Sequence, residues 1–200
     1  MKIGAVLFDM DGTLIDSHGA IIRSWTRIAE EYDLPLDEIL AVHAGRPAWS
    51  TLESVAPWLG AERIRQAAAR QLEWEYDDLT DVIAIDGALD LIKGVADRGV
   101  SWAVVTSADE RLARARLGAV GIDPPLLIST DDISAPKPDP EGYLLAANRL
   151  GVPPAGCLVV EDAPAGVTAG RAAGMRVVGV AGITGDITVT NLVEILELLD

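Results

Sequence analysis

Five short apolar runs recur along the chain, separated by segments with helical periodicity. The runs are bounded by polar or turn residues and lie at 3–8, 102–105, 126–128, 157–160 and 177–180. Continuous runs of this length are typical of parallel strands that are buried on both faces of a sheet. The helical patterns lie at 87–95, 110–120, 141–150 and 165–173, with a closing amphipathic helix at 191–199. This alternation predicts βαβ units and therefore an α/β fold with a doubly wound parallel sheet.

Residues 17–85 do not follow this alternation. Their apolar positions have only helical spacing, without a strand-like run. Turn signals divide the stretch into about four helices, and they lie at 34–35, 45–47, 56–57 and 86–87. We therefore predict a helical subdomain at residues 17–86, inserted into a core formed by residues 1–16 and 87–200.

The charge balance limits the classes of partner. The 200 residues include 16 basic and 31 acidic side chains, which gives a net charge of −15 spread over both predicted parts. Unless it has a local positive patch, so acidic a protein is expected to bind neither nucleic acid nor anionic membranes, but its charge does not indicate what it does bind. The single cysteine, Cys157, excludes an internal disulfide. Without a recognisable signal peptide or a membrane-spanning apolar stretch, we expect a cytoplasmic protein. The oligomeric state stays open, and a monomer is compatible with the sequence.

Polar side chains follow the predicted strands at the points where they end. They are Asp9 and Asp11, Thr106 and Ser107, Lys137, and Glu161 and Asp162. Ligands of an open α/β sheet bind outside the carboxyl ends of its strands, so these groups are expected to converge. Each alone has an ordinary explanation as a turn residue, a helix cap or an exposed charge. Together they favour phosphoryl transfer, in which carboxylates bind a divalent cation, hydroxyls and lysine bind phosphate oxygens, and one carboxylate attacks.

Residues 8–17, FDMDGTLIDS, resemble the opening motif of the haloacid dehalogenase superfamily of phosphohydrolases. Thr106, Lys137 and residues 161–166, EDAPAG, match its second, third and fourth motifs in order. The resemblance covers essentially the whole chain. It implies a Rossmann-like core, a small helical cap inserted after the first strand, and Mg²⁺-dependent chemistry. The segment after Val180 is shorter than in many relatives, so we expect the last strand to be reduced or absent.

The resemblance also implies roles for individual residues. Asp9 matches the nucleophile that becomes an aspartyl-phosphate, and Asp11 matches the acid that protonates the leaving alkoxide and then activates water. The implied Mg²⁺ ligands are Asp9, the backbone carbonyl of Asp11, and Asp162, with Glu161 in the inner or the next shell. The implied phosphoryl-binding groups are Thr106, Lys137, and the backbone N–H groups near Met10 and Ser107.

The substrate is expected to be selected by the helical subdomain. Residues 43–47, HAGRP, resemble the specificity loop of capped sugar- and polyol-phosphate phosphatases, so His43 and Arg46 are candidate substrate contacts. A plain turn with an exposed arginine explains the loop equally well. The favoured function is hydrolysis of a small sugar or polyol phosphate.

Three other functions stay open. The first is a sugar phosphomutase of the β-phosphoglucomutase type. The cap histidine and arginine of such mutases align with Ile21 and near Ala48, which favours hydrolysis. The second is a phosphoglycolate or nucleotide phosphatase. The third is a signalling receiver phosphorylated on aspartate, against which the helical insertion and Asp11 argue.

Overall fold

A parallel six-stranded sheet forms the centre of the computed structural model, which describes residues 3–199. Its strands are β1 (Ala5–Phe8), β4 (Ser101–Val105), β5 (Leu127–Ile128), β6 (Cys157–Glu161), β7 (Arg176–Gly179) and β8 (Ile187–Thr188). Their spatial order is β5-β4-β1-β6-β7-β8, and every pair is parallel. Each predicted apolar run overlaps one of the strands β1, β4, β5, β6 and β7. The predicted α/β, Rossmann-like doubly wound fold is confirmed.

The central strand β1 supplies side chains to both faces of the sheet. Val6 and Phe8 pack into one hydrophobic cluster, and Ala5 and Leu7 pack into another. Successive side chains of a strand point to opposite faces, so an uninterrupted apolar run is required where helices cover both.

The helices are α1 (His18–Tyr32), α2 (Leu36–Val42), α3 (Ala48–Val55), α4 (Gly60–Asp77), α5 (Ala88–Asp97), α6 (Glu110–Ala119), α7 (Glu141–Leu150) and α8 (Pro164–Ala172). Short 3-10 helices lie at Pro57–Leu59, Thr130–Asp132, Pro154–Gly156 and Leu192–Leu198. Apolar residues of α5 and α6 cover one face of the sheet, and those of α7 and α8 cover the other. Among the helices of residues 3–199, none is both long and apolar enough to span a bilayer.

Helices α1 to α4 share a hydrophobic cluster of their own. Trp25 and Ile28 of α1 pack there with Ile39 of α2, Leu52 of α3 and Ile64 of α4. We call residues 17–86, which contain these helices, the helical segment. Its status as a separate domain, with boundaries at 17 and 86, stays a prediction.

Two features of the fold correct the sequence analysis. The interpretation of residues 17–85 as free of strands was wrong, because β3 (Ile83–Ala84) pairs antiparallel with β2 (Ile15–Asp16). Two residues are too few to produce a recognisable alternation. The closing helix is a 3-10 helix over Leu192–Leu198, in which Leu192 and Ile195 are buried three residues apart, the period of that helix. The last strand was expected to be reduced or absent, and β8 is present with two residues.

Candidate active site

A tight loop after β1 holds the first two carboxylates. The N–H groups of Leu14 and Ile15 both donate to the carbonyl of Met10, at 2.9 and 3.1 Å, which folds the loop back on itself. Gly12 has φ +85°, a conformation that favours glycine, and a Cβ atom at this position would overlap the Asp162 carboxylate. The loop therefore needs a glycine both for its backbone angle and for the approach of Asp162.

Lys137 joins the ends of three strands. Its Nζ donates to Asp9 Oδ1, to Glu161 Oε1 at 2.7 Å and to the carbonyl of Val105 at 3.0 Å. Three acceptors match the three donors of an ammonium group. Burial acts to lower the pKa of Lys137, but the charges of Asp9 and Glu161 outweigh it and raise the pKa above its usual value. Lys137 is therefore a permanent buried cation beside Asp9.

Glu161 is fixed by several donors besides Lys137. The hydroxyl of Tyr143 donates to its Oε1 at 2.8 Å, and the N–H groups of Asp162 and Ala163 each donate to its Oε2 at 3.1 Å. The side chain is completely buried. A carboxylate held at both oxygens has a fixed orientation, so Glu161 is a rigid, buried part of the site.

Three carboxylates form a compact group of oxygen donors. One oxygen each of Asp9, Glu161 and Asp162 lies within 4.8 Å of the others. Burial and the neighbouring charge of Glu161 raise the pKa of Asp162 to about 7, and the same two causes raise the pKa of Asp9. Because one lysine does not balance three carboxylates, the group is suited to a hard divalent cation such as Mg²⁺.

The side chain of Asp11 is held from two directions. Its Oδ1 accepts hydrogen bonds from Ser17 Oγ and, at 3.0 Å, from Arg116 Nη1. Arg116 lies in α6, and its Nη2 is 3.3 Å from Oε2 of Glu75, which lies in α4. Burial raises the pKa of Glu75 and the charge of Arg116 opposes this shift. Asp11 is therefore linked through Arg116 to the helical segment.

A cavity of about 430 Å³ lies between the sheet edge and the helical segment. Seven predicted site residues line it, namely Asp9, Asp11, His43, Arg46, Thr106, Ser107 and Asp162. The other three, Met10, Lys137 and Glu161, are buried. The structure thus brings predicted site residues from four separate parts of the chain to one cavity.

The loop at residues 43–47 rests on the core. Ser107 Oγ donates to the carbonyl of Gly45 at 3.0 Å. Gly45 has φ +70°, and a Cβ atom there would lie 2.9 Å from Ala163 Cβ. Burial lowers the pKa of His43, which favours the neutral imidazole. His43 and Arg46 line the cavity, while their contact with substrate stays a prediction.

Three further residues that line the cavity were not predicted from the sequence, namely Arg116, Gln71 and Glu75. The signal was available in the helical periodicity. Arg116 occupies a position on the buried face of α6, between Ala113 and Leu117. On α4, Gln71 and Glu75 continue the buried stripe that begins at Ile64 and Ala67. Polar residues on a buried helix face need partners, so such positions are candidates for a site.

Comparisons with known proteins identify a family, curated relatives and a solved structure that this chain resembles. The family model for haloacid dehalogenase-like hydrolases matches residues 3–174. Hexitol phosphatase A of Escherichia coli (strain K12) is 36% identical over 181 residues, which cover 90% of this chain and 84% of that protein. Fructose-1-phosphate phosphatase YqaB of the same organism is 31% identical over 183 residues, covering 90% and 97%. The crystal structure of a hydrolase from Pseudomonas syringae has a TM-score of 0.88 at 24% identity and covers 98% of each chain, which shows the shared fold.

Proposed function

Because the chain belongs to the haloacid dehalogenase-like hydrolase family and is a phosphatase, we propose that it hydrolyses a small sugar or polyol phosphate. One observation carries the proposal: Asp9, Asp11, Thr106 and Asp162 line a single cavity. Its volume of about 430 Å³ is suited to a small molecule. The names of the hexitol and fructose-1-phosphate phosphatases support this substrate class.

Asp9 is the proposed nucleophile. Among the described residues, the hydrogen bond to its carboxylate falls on Oδ1, from Lys137, which leaves Oδ2 free to attack phosphorus. The new bond joins Oδ2 to phosphorus, and the bond from phosphorus to the ester oxygen breaks. An aspartyl-phosphate forms on Asp9. Water then attacks its phosphorus, the bond from phosphorus to Oδ2 breaks, and inorganic phosphate leaves while the Asp9 carboxylate is restored.

Asp11 is the proposed acid and base. It lines the same cavity two residues after the nucleophile. In the first step it gives a proton to the leaving alkoxide, which departs as an alcohol. In the second step it takes a proton from the attacking water, so the two steps together restore its starting state.

Mg²⁺ is the proposed cofactor, held by Asp9, Asp162 and the carbonyl of Asp11, with Glu161 nearby. The donors fit, because three carboxylate oxygens within 4.8 Å of one another are the oxygen ligands that this hard cation prefers. When bound, the ion supplies positive charge that stabilises the phosphoryl oxygens. Gly12 leaves room for the Asp162 carboxylate, and Glu161 Oε2 accepts a hydrogen bond from the backbone N–H of Asp162.

The phosphoryl group is proposed to bind at the ends of β1 and β4. The Thr106 hydroxyl oxygen accepts the N–H of Ala108 at 3.1 Å, and its hydrogen is left to donate to phosphate. Backbone N–H groups at Met10 and Ser107 complete the site. Lys137 contributes chiefly by holding Asp9, because its three donors already have acceptors.

The helical segment is proposed to act as a cap that recognises the rest of the substrate. Its residues His43, Arg46 and Trp49 line the same cavity as the catalytic carboxylates. The mutase resemblance would need a histidine at the position of Ile21 and an arginine near Ala48, and these two residues also line the cavity. Neither side chain is able to transfer a proton or to bind a second phosphate, which supports hydrolysis over the mutase reaction.

The test uses the purified chain with 4-nitrophenyl phosphate and a panel of natural esters. We expect repeated turnover that requires Mg²⁺ and is lost in Asp9→Asn but retained in Asp123→Asn, an exposed control. A stoichiometric and long-lived phosphoprotein would contradict hydrolysis and favour a receiver. On the panel we expect sugar and polyol phosphates to exceed phosphoglycolate and nucleotides in kcat/KM, and the reverse order would overturn the substrate class.

A further inference from the structure

Arg116 is a buried arginine in a place where the fold itself does not require a charge. It is 2% exposed and lies on α6 among Leu112, Ala113 and Leu117, which pack toward the interior. A buried cation is costly unless it is paired, and removal of one partner of a buried pair is strongly destabilising. Apolar side chains of similar volume replace buried pairs without loss of stability in many proteins. The charge of Arg116 therefore points to a role in the site.

The partners of Arg116 belong to different parts of the fold, and both line the cavity. Nη1 donates to Asp11 Oδ1 at 3.0 Å, and Nη2 lies 3.3 Å from Glu75 Oε2. Nε and Nη2 have no hydrogen-bond acceptor within residues 3–199, so the guanidinium is held by one hydrogen bond and by charge. Arg116 thus bridges the loop after β1 to α4 of the helical segment.

Glu75 is itself fixed by polar neighbours of the helical segment. Its Oε1 accepts hydrogen bonds from Ser24 Oγ at 2.9 Å and from Gln71 Nε2. The next residue, Tyr76, donates its hydroxyl to Asp109 at the start of α6. The hydrogen bond from Tyr76 holds α4 against the start of α6, so the position of Glu75 relative to Arg116 depends on the docking of the helical segment.

We propose that Arg116 is a positioning residue for Asp11, and that Glu75 holds Arg116 in place when the helical segment is docked on α6. Within the described chain, both hydrogen bonds to the Asp11 carboxylate fall on Oδ1, from Arg116 and Ser17. The carboxylate is thereby fixed with Oδ2 available to the ester oxygen of a substrate. The inference rests on the proposed role of Asp11 as the acid, and it makes that role conditional on a contact from the helical segment.

The leaving group of the substrate provides the test. An alkyl phosphate needs a proton on its departing oxygen, whereas 4-nitrophenolate departs without one. Since kcat/KM reports the steps through the release of the leaving group, we compare it for glycerol phosphate and 4-nitrophenyl phosphate. For Arg116→Met we expect about a 100-fold loss on glycerol phosphate, in the range of general acid catalysis, and a much smaller loss on 4-nitrophenyl phosphate.

Three further variants separate positioning from folding. Arg116→Lys keeps the charge but loses the planar fork, so we expect a smaller loss with the same substrate selectivity. Glu75→Gln keeps the shape of Glu75 but removes its charge. Here too we expect a larger loss of kcat/KM on glycerol phosphate than on 4-nitrophenyl phosphate. Arg114→Met is the matched control, because Arg114 lies on α6 in an exposed pair with Glu110, and its kinetics should be unchanged.

The double variant Asp11→Asn/Arg116→Met tests whether Arg116 acts through Asp11. If Arg116 acts through Asp11, adding Arg116→Met to Asp11→Asn should not further increase the difference between the losses of kcat/KM on glycerol phosphate and on 4-nitrophenyl phosphate. Equal losses on both substrates in Arg116→Met, Arg116→Lys and Glu75→Gln, or a rise in KM alone, would overturn the inference in favour of a structural or substrate-binding role. If Asp11→Asn itself lacks selectivity, the proposed function fails instead, so the two failures are distinguishable.

Discussion

The carboxylate of Glu161 lies directly against Gly166 in the first turn of α8, where a Cβ atom at residue 166 would overlap Glu161 Oε1. The same oxygen accepts hydrogen bonds from Lys137 and Tyr143. The helix thus approaches the end of β6 as closely as it does only because residue 166 has no side chain.

Gly166→Ala is expected to displace Glu161 and to weaken metal binding and turnover, although alanine favours helix formation. Gly118→Ala on α6 is the control, because no atom lies within 4 Å of the Cβ position and the same substitution is made in a helix. For the control we expect unchanged activity and a gain in the free energy of unfolding of up to about 1 kcal/mol. Equal kinetics of the two variants would show that Glu161 accommodates the methyl group.

Lys137→Met is expected to destabilise the protein and to abolish turnover. The substitution keeps much of the volume but leaves Asp9 and Glu161 buried without their cation, a loss of about 3–5 kcal/mol in comparable pairs. Chemical unfolding and steady-state kinetics measure the two effects. Lys93→Met removes an exposed lysine paired with Asp97 and should change the free energy of unfolding by less than about 1 kcal/mol. A Lys137→Met protein as stable and active as this control would contradict the assigned network.

In the absence of metal, the free energy of unfolding is expected to decrease as the pH rises through neutrality. The pKa of Asp162 is raised to about 7 in the folded protein, mainly by burial, whereas an unfolded aspartate has a pKa of about 4. The folded state therefore binds this proton more tightly, and the stabilisation is complete below pH ~4 and lost as the pH passes about 7. Unfolding in the presence of a chelator at pH 5.5 and pH 8 measures the difference. Asp162→Asn should reduce this pH dependence, and an unchanged dependence would contradict the assignment.

Mg²⁺ affinity is expected to increase between pH 6 and pH 8. The metal requires ionised carboxylates, so it competes with the proton on Asp162. Saturating Mg²⁺ should also raise the melting temperature, since a ligand at 100 times its Kd stabilises the folded state by about 2.7 kcal/mol. Titration calorimetry at several pH values measures the affinity. A pH-independent affinity would mean that the ion binds elsewhere.

Gly45→Ala is expected to raise KM by holding the loop at residues 43–47 away from the core. The added Cβ atom would meet Ala163 Cβ at 2.9 Å, and φ +70° adds strain of about 1–3 kcal/mol for a non-glycine residue. Gly60→Ala isolates the strain, because Gly60 has φ +77° and open space around it. If both variants have the same KM, the contact between the loop and the core does not affect substrate binding.

The sequence alone determined the fold class and most of the candidate site. Parallel strands buried on both faces must be continuously apolar, so five of them were visible as runs. Polar residues directly after those runs had to converge at the carboxyl edge of the sheet, which placed Asp9, Asp11, Thr106 and Asp162 together. The spacing of residues along the chain and the general topology of parallel sheets were sufficient to predict the fold class and these four site residues.

Only the tertiary structure decided what holds these groups in place. No spacing in the chain brings Glu75 and Arg116 together, because they lie on helices of different parts of the fold and meet where α4 docks on α6. The acceptors of Lys137 and the fit of Gly166 against Glu161 depend on ångström-scale packing between distant segments. A hydrophobic pattern encodes which face of an element is buried, but the pairing of charges inside that face is set by how the elements pack.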